Sequence, residues 1–112
     1  MAKRTRNYAA VTRAAVGTLG ALVAEGRRRR GWTAAELAER LGVSPGTVSQ
    51  VERGAPTVAI GIYFEAAALC GVNLFGVGPR DLAPLERLTR DRLALLPQRV
   101  RRATQDVVDD DF

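Results

Sequence analysis

Bulky apolar residues recur along the 112-residue chain at spacings of three and four, and the interruptions are glycines and prolines. That pattern predicts an all-α chain. From Tyr8 to Arg30 an Ala-rich first helix carries Val16, Leu19 and Val23 on one line, with Gly20 allowing a neighbour to approach. Val11, Ala15 and Leu22 form a second apolar line, and Gly17 and Gly26 mark places where the helix is weakened enough to break. Thr33 followed three residues later by Glu36 is a capping box, and Leu37, Ala38 and Leu41 give that short helix a single apolar stripe. Gly42 stops it at a backbone position that needs positive φ. Ser44 as N-cap and Pro45 at the first helical position start another helix. Gly54 closes that helix, with Pro56 just beyond.

A fourth helix is expected from Val58 to Cys70, capped by Thr57 and ended by Gly71. Ile60, Phe64, Ala67 and Ala68 form the face expected to close the core, with Ile62, Ala66 and Leu69 on another side and Tyr63 between. A helix apolar almost all round must bury both faces. In so small a domain the second face, Ile62, Tyr63, Ala66 and Leu69, is read as a dimer surface. Residues 73–84 have a linker composition, with Gly76, Gly78, Pro79 and Pro84, although Leu74, Phe75 and Val77 are suited to dock on the domain. Leu85, Leu88, Leu95 and Leu96 then resume helical spacing, supported by a Glu86–Arg90 pair, up to Pro97. The organisation that follows is a basic arm over 1–7, a helical domain over 8–72, a linker and C-terminal helix over 73–97, and a tail over 98–112 that can be disordered.

The third helix carries the chemistry. Val48 and Val51 are its only bulky apolar residues, three apart on one face; Gly46, Thr47, Ser49, Gln50 and Arg53 lie opposite. A short helix that buries one thin edge and shows hydrogen-bonding side chains on the other is built to be read against a partner. Two such helices joined by a tight turn are the arrangement that enters the major groove of DNA. Ser44, Thr47, Ser49 and Gln50 are then the candidates for base edges, Gln50 being suited to a bidentate adenine contact. Helix amides near Ser44 and Thr33 are candidates for phosphate.

Charge sharpens this reading. Residues 1–30 carry eight basic side chains against Glu25 alone, residues 31–72 carry Arg40 and Arg53 against four glutamates, and residues 73–112 balance seven of each sign. The positive excess is therefore N-terminal, as expected of a surface facing phosphate. Within the run Arg27–Arg30, Arg28, Arg29 and Arg30 are the candidates for phosphate contact, and Arg53 is another. A single cysteine, Cys70, and no histidine argue against any metal site. The absence of a phosphate loop or nucleophile motif argues against an enzyme, so no catalytic residue and no cofactor is expected. No apolar run approaches membrane-spanning length and no signal-peptide core follows the basic start, which predicts a cytoplasmic protein. The tail ends Val-Val-Asp-Asp-Asp-Phe; Val107, Val108 and Phe112 are candidates for docking on a partner, against the alternative of a solvated tail.

The stretch Gly31-Trp32-Thr33, Glu36-Leu37-Ala38, Gly42-Val43-Ser44, Val48-Ser49 and Glu52-Arg53-Gly54 resembles the Cro/C1-type (XRE) family of helix-turn-helix repressors over about residues 20–72. The resemblance implies a five-helix, lambda-repressor-like domain with an N-terminal basic extension and a C-terminal helix plus tail. It also implies a structural salt bridge between Arg27 and Glu52, a core role for Trp32, a homodimer and a palindromic double-stranded operator. Where the family usually carries Gln, this chain has Ala34, which puts one phosphate contact in doubt. The segment Glu52 to Tyr63 is further similar to HipB-like antitoxins, as is the later Arg-Asp-Arg-Leu-Ala-Leu-Leu-Pro run. That similarity implies an antitoxin that represses its own operon and binds a HipA-like kinase toxin. The alternative is a stand-alone dimeric repressor.

Overall fold

The computed structural model describes residues 6–100 and residue 102. Among these the architecture is all-α and lambda-repressor-like, with α1 at Ala10–Arg29, α2 at Ala34–Leu41, α3 at Pro45–Glu52, α4 at Ile60–Leu69 and α5 at Pro79–Ala94. The chain divides into two compact units that meet between Pro79 and Arg80. The first holds α1 to α4 and the core: Val23, Leu37, Ala38, Val48, Val51, Tyr63, Ala66, Ala67 and Cys70. Val16, Leu19, Trp32 and Leu41 pack on it half-buried.

The short helices begin and end where their caps are written. Thr33 Oγ1 accepts from the Glu36 amide at 3.1 Å, and Glu36 Oε1 accepts from the Thr33 amide at 2.7 Å. Each bond satisfies an otherwise unpaired donor of the first turn. Gly42 takes φ 72° at the end of α2, and Ser44 Oγ accepts from the Thr47 amide at 3.1 Å to start α3.

α1 runs unbroken through both glycines that weaken it. The compensation for the Gly26 position is tertiary, because a methyl group there would collide with the Cys70 carbonyl at the end of α4. Gly20 is buried in the same way against the Val51 carbonyl of α3. At Gly20 and Gly26 the lost helix propensity, about 1 kcal/mol each, is exchanged for close packing on backbone that no larger residue permits, whereas a Cβ at Gly17 would meet nothing within 4 Å.

α4 departs from expectation in both start and face. It begins at Ile60 with Ala59 as N-cap and no side-chain cap; Thr57 lies in the preceding turn. Its core face is Tyr63, Ala66, Ala67 and Cys70, spaced i, i+3, i+4 and i+7. Ile60 is 68% exposed and Ala68 is exposed as well, so the face expected to close the core is turned by about one residue. The dimer surface is corrected accordingly: Tyr63 and Ala66 are 4% and 0% exposed inside the unit, leaving Ile62 and Leu69 half-buried against the core. The physical reason is size. Ala66, Ala67 and Cys70 are small enough to bring α4 close to α1, and Glu65 is the one charged residue that marks the outward side. The Tyr63 hydroxyl donates to the Ala55 carbonyl at 2.6 Å, tying α4 to the loop that leaves α3. Burial pushes the Tyr63 phenol up from its ordinary value, and burial likewise raises the Cys70 thiol.

After α4, Leu74 packs on the core and bridges to Val77, while Phe75 stands 73% exposed with its ring edge-on to Phe64 at 6.0 Å. In the second unit α5 extends further N-terminally than the linker composition suggests. Pro79 occupies its first position, where a missing N–H costs nothing, and Asp81 suits the first turn. Pro84 lies inside the helix rather than ending a linker. Glu86 and Arg90 pair at 2.9 Å, and Leu88, Leu93, Leu95 and Leu96 are exposed.

Candidate nucleic-acid interface

α3 is held from below and open above. Val48 and Val51, each 1% exposed, anchor it to the core, while Ser44, Gly46, Ser49, Gln50 and Arg53 are exposed and Thr47 is half-buried. On the open face the Ser44 and Thr47 hydroxyls lie 3.1 Å apart, and Arg53 Nη1 donates to Ser49 Oγ at 2.9 Å. The Gln50 amide has no side-chain partner among the described residues. A polar side chain left without a protein partner, on a helix whose other side is fixed, is free to bond to an incoming surface.

Three contacts from α1 set the position of α3. Gly20 lies under the Val51 carbonyl, and Gly54, at φ 76°, packs so closely that a Cβ on it would stand 2.6 Å from Gly17 Cα. The third is ionic. Arg27 Nε donates to Glu52 Oε2 at 2.6 Å, Nη2 donates to Oε1 at 3.1 Å, and Nη1 donates to the Trp32 carbonyl at 2.8 Å. The two charged side chains are 12% and 14% exposed, and the hydrogen bond to Glu52 holds the Arg27 pKa above its ordinary value. One guanidinium thus joins α1, the entry to α2 and the end of α3.

Two helices set at a glycine turn, the second braced from behind and polar in front, form a helix-turn-helix. Residues 18–85, more than half of the chain, match the family model of a helix-turn-helix domain. The chain belongs to the helix-turn-helix domain family. It is on that ground a sequence-specific DNA-binding regulator, of a family that is typically non-enzymatic. No curated protein and no solved structure is a significant match to it.

Within this helix-turn-helix protein the arginines at the end of α1 are not equivalent. Arg29 pairs with Glu25 at 3.0 Å. Arg30 Nη1 donates to the Cys70 carbonyl at 3.0 Å, capping α4, and its guanidinium is 5.7 Å from the Trp32 ring centroid. The Arg28 side chain alone of the three has no hydrogen-bond or ion-pair partner among the described residues. Thr33 is exposed, but its amide is already engaged by Glu36, so the phosphate-binding capacity at the start of α2 is reduced. Ala34 is half-buried against the core, and nothing polar replaces the glutamine usual there.

The sequence did not reveal the Arg30 cap, which joins residues 40 positions apart, or the Arg40 guanidinium 4.2 Å above the Trp32 ring. The second had a signal: Arg40 ends the helix that Trp32 precedes. Trp32 itself is half-buried against the core, with both guanidinium groups near its ring. Val107, Val108 and Phe112 lie outside the described residues, as do residues 1–5 of the basic arm. Among the described residues there is no cluster of three or more potential metal-ligating side chains, and no helix is long and apolar enough to cross a membrane.

Proposed function

We propose that the chain is a dimeric transcriptional repressor that inserts α3 into the major groove. The observation that carries this reading is the exposed, partner-free Gln50 between Ser49 and Arg53, opposite the buried pair Val48 and Val51. Ser44, Thr47, Ser49 and Gln50 face the base edges, with Gly46 letting the groove wall approach. Arg28, Arg29, Arg53 and Thr33 meet the backbone, the Arg29–Glu25 pair being an exposed i,i+4 bridge; Arg30, held on the Cys70 carbonyl, leaves that set. With so few cations in the reading helix, DNA shape contributes to the choice of site. The test is a gel shift on DNA from upstream of the gene. Gln50→Ala is expected to lose about 1–3 kcal/mol of affinity for the specific site and little for random duplex. Equal losses on both duplexes would remove Gln50 from base reading.

The finer reading is an antitoxin that binds a HipA-like kinase, and its support is the similarity of Glu52–Tyr63 and Arg90–Pro97 to HipB-like proteins. Several residues of the first pattern also have work within the fold: Glu52 pairs with Arg27, Gly54 packs on Gly17, and Tyr63 bonds to Ala55. A direct test is therefore a pull-down from the native host with the full chain and a truncation ending at Leu96. Capture of a kinase by the full chain alone is the expected result and assigns its handle to residues 97–112. Capture by both would move the partner surface onto the folded units. Capture by neither, with promoter binding retained, would leave a stand-alone repressor.

A further inference from the structure

The helix-turn-helix proper is short of positive charge for a surface that meets phosphate. Residues 31–72 hold two arginines against four glutamates, and one of the two, Arg40, lies over Trp32. At the end of α1, Arg27, Arg29 and Arg30 are engaged with Glu52, Glu25 and the Cys70 carbonyl. Binding that depends on phosphate neutralisation needs further cations on the same unit.

The other end of α1 has them. Residues 1–24 include no acidic side chain. Arg13 lies one turn before Gly17 and two before Gly20; at 100° per residue it is within about 20° of the Gly20 direction. It therefore shares the stripe by which α1 lies against the end of α3, and stands roughly 6 Å beyond the Gly17–Gly54 contact at 1.5 Å per residue. Arg13 Nη1 donates to the Tyr8 carbonyl, and the Arg6 guanidinium lies 5.8 Å from the Tyr8 ring centroid. Tyr8 thus has one exposed guanidinium on its carbonyl and another near its ring, past the C-terminal end of the reading helix and with no carboxylate paired to either among the described residues.

We propose that Arg6 and Arg13 form a second phosphate-binding point, which holds the DNA backbone beyond the end of α3 and outside the base-reading surface. The proposal rests on the DNA-binding reading above. Backbone contact is favoured by the one-signed charge of the pair and by its continuity with the reading helix through Gly17 and Gly54. Its effect is on affinity and register, without choice among bases.

The test is fluorescence anisotropy at salt concentrations from about 50 to 200 mM NaCl. Two labelled duplexes of about three helical turns serve as probes, one from upstream of the gene and one of random sequence. Arg6→Gln with Arg13→Gln is expected to reduce the slope of log K against log salt by about 1.8 per bound protomer on both duplexes, weakening binding on the order of tenfold. The ratio of affinities for the two duplexes stays the same, and Arg6→Lys with Arg13→Lys keeps the slope. Circular dichroism checks that each variant is helical. A glutamine double variant with wild-type slope and affinity would overturn the proposal and leave the pair to another anionic partner. Loss of slope in the lysine variant as well would assign the pair to folding and overturn it too. Wild-type protein that bound neither duplex would instead remove the DNA-binding reading itself.

Discussion

Arg27→Ala is expected to destabilise the first unit by up to about 3–5 kcal/mol, the upper limit being the cost of leaving one partner of a fully buried ion pair uncompensated. The Arg27–Glu52 pair sits at the favourable end of ion-pair geometry: bidentate, 12% and 14% exposed, with the third nitrogen on the Trp32 carbonyl. Its loss strands the Glu52 carboxylate at the end of the reading helix. Against a total stability of about 5–15 kcal/mol for a typical domain, that is a large fraction. Urea unfolding followed by the fluorescence of Trp32, the only tryptophan, measures it directly. Arg27→Lys should recover only part, because an ammonium cannot reproduce the planar fork. A loss below about 1 kcal/mol for Arg27→Ala would place the pair among solvent-screened surface bridges and remove its role as the brace of α3.

The second large effect is at Gly54. Gly42 and Gly54 have nearly the same backbone, φ 72° and 76°, yet only Gly54 is crowded. Alanine at Gly42 meets nothing within 4 Å, so its cost is the left-handed conformation alone, about 1–2 kcal/mol. Alanine at Gly54 adds a collision with the Gly17 backbone, and overpacking of that kind costs about 1–3 kcal/mol more. Gly54→Ala should therefore fall well below Gly42→Ala in thermal unfolding, and its DNA affinity should drop as α3 is displaced from α1. Equal melting temperatures for the two variants would show that α1 can move away from Gly54 at little cost.

How much of this could be read in advance depended on whether the information was local. α2 and α3 were legible because their boundaries are chemical statements within a few residues: Thr33 with Glu36, then Gly42, then Ser44 with Pro45. The core valines of α3 followed from the same few positions. α4 was not legible in its face, since Ile60-Gly-Ile-Tyr-Phe-Glu-Ala-Ala-Ala-Leu offers apolar residues in every direction and only close approach to α1 selects among them. The start of α5 was not legible, because Pro84 has the look of a boundary in sequence although it sits within the helix. The arginine run misled in the opposite way. Of four like residues in sequence, three have different partners in space and the Arg28 side chain has none among the described residues. The Arg27–Glu52 pair, 25 positions apart, followed only from the resemblance, and the Arg30–Cys70 contact, 40 apart, from nothing local.

The glycine seat under α3 also bears on how such a protein can change. Gly17 against Gly54 and Gly20 against Val51 are contacts of main chain with main chain, so beside the Arg27–Glu52 brace much of the seat of the reading helix is backbone. Ser49 and Gln50 are exposed outside that seat, and unlike Ser44 neither caps α3. They can be exchanged for others without altering the angle at which the helix is presented. The alphabet and the hand that holds the page are separate, and a new operator preference can arise by relettering one face while the mount stays still.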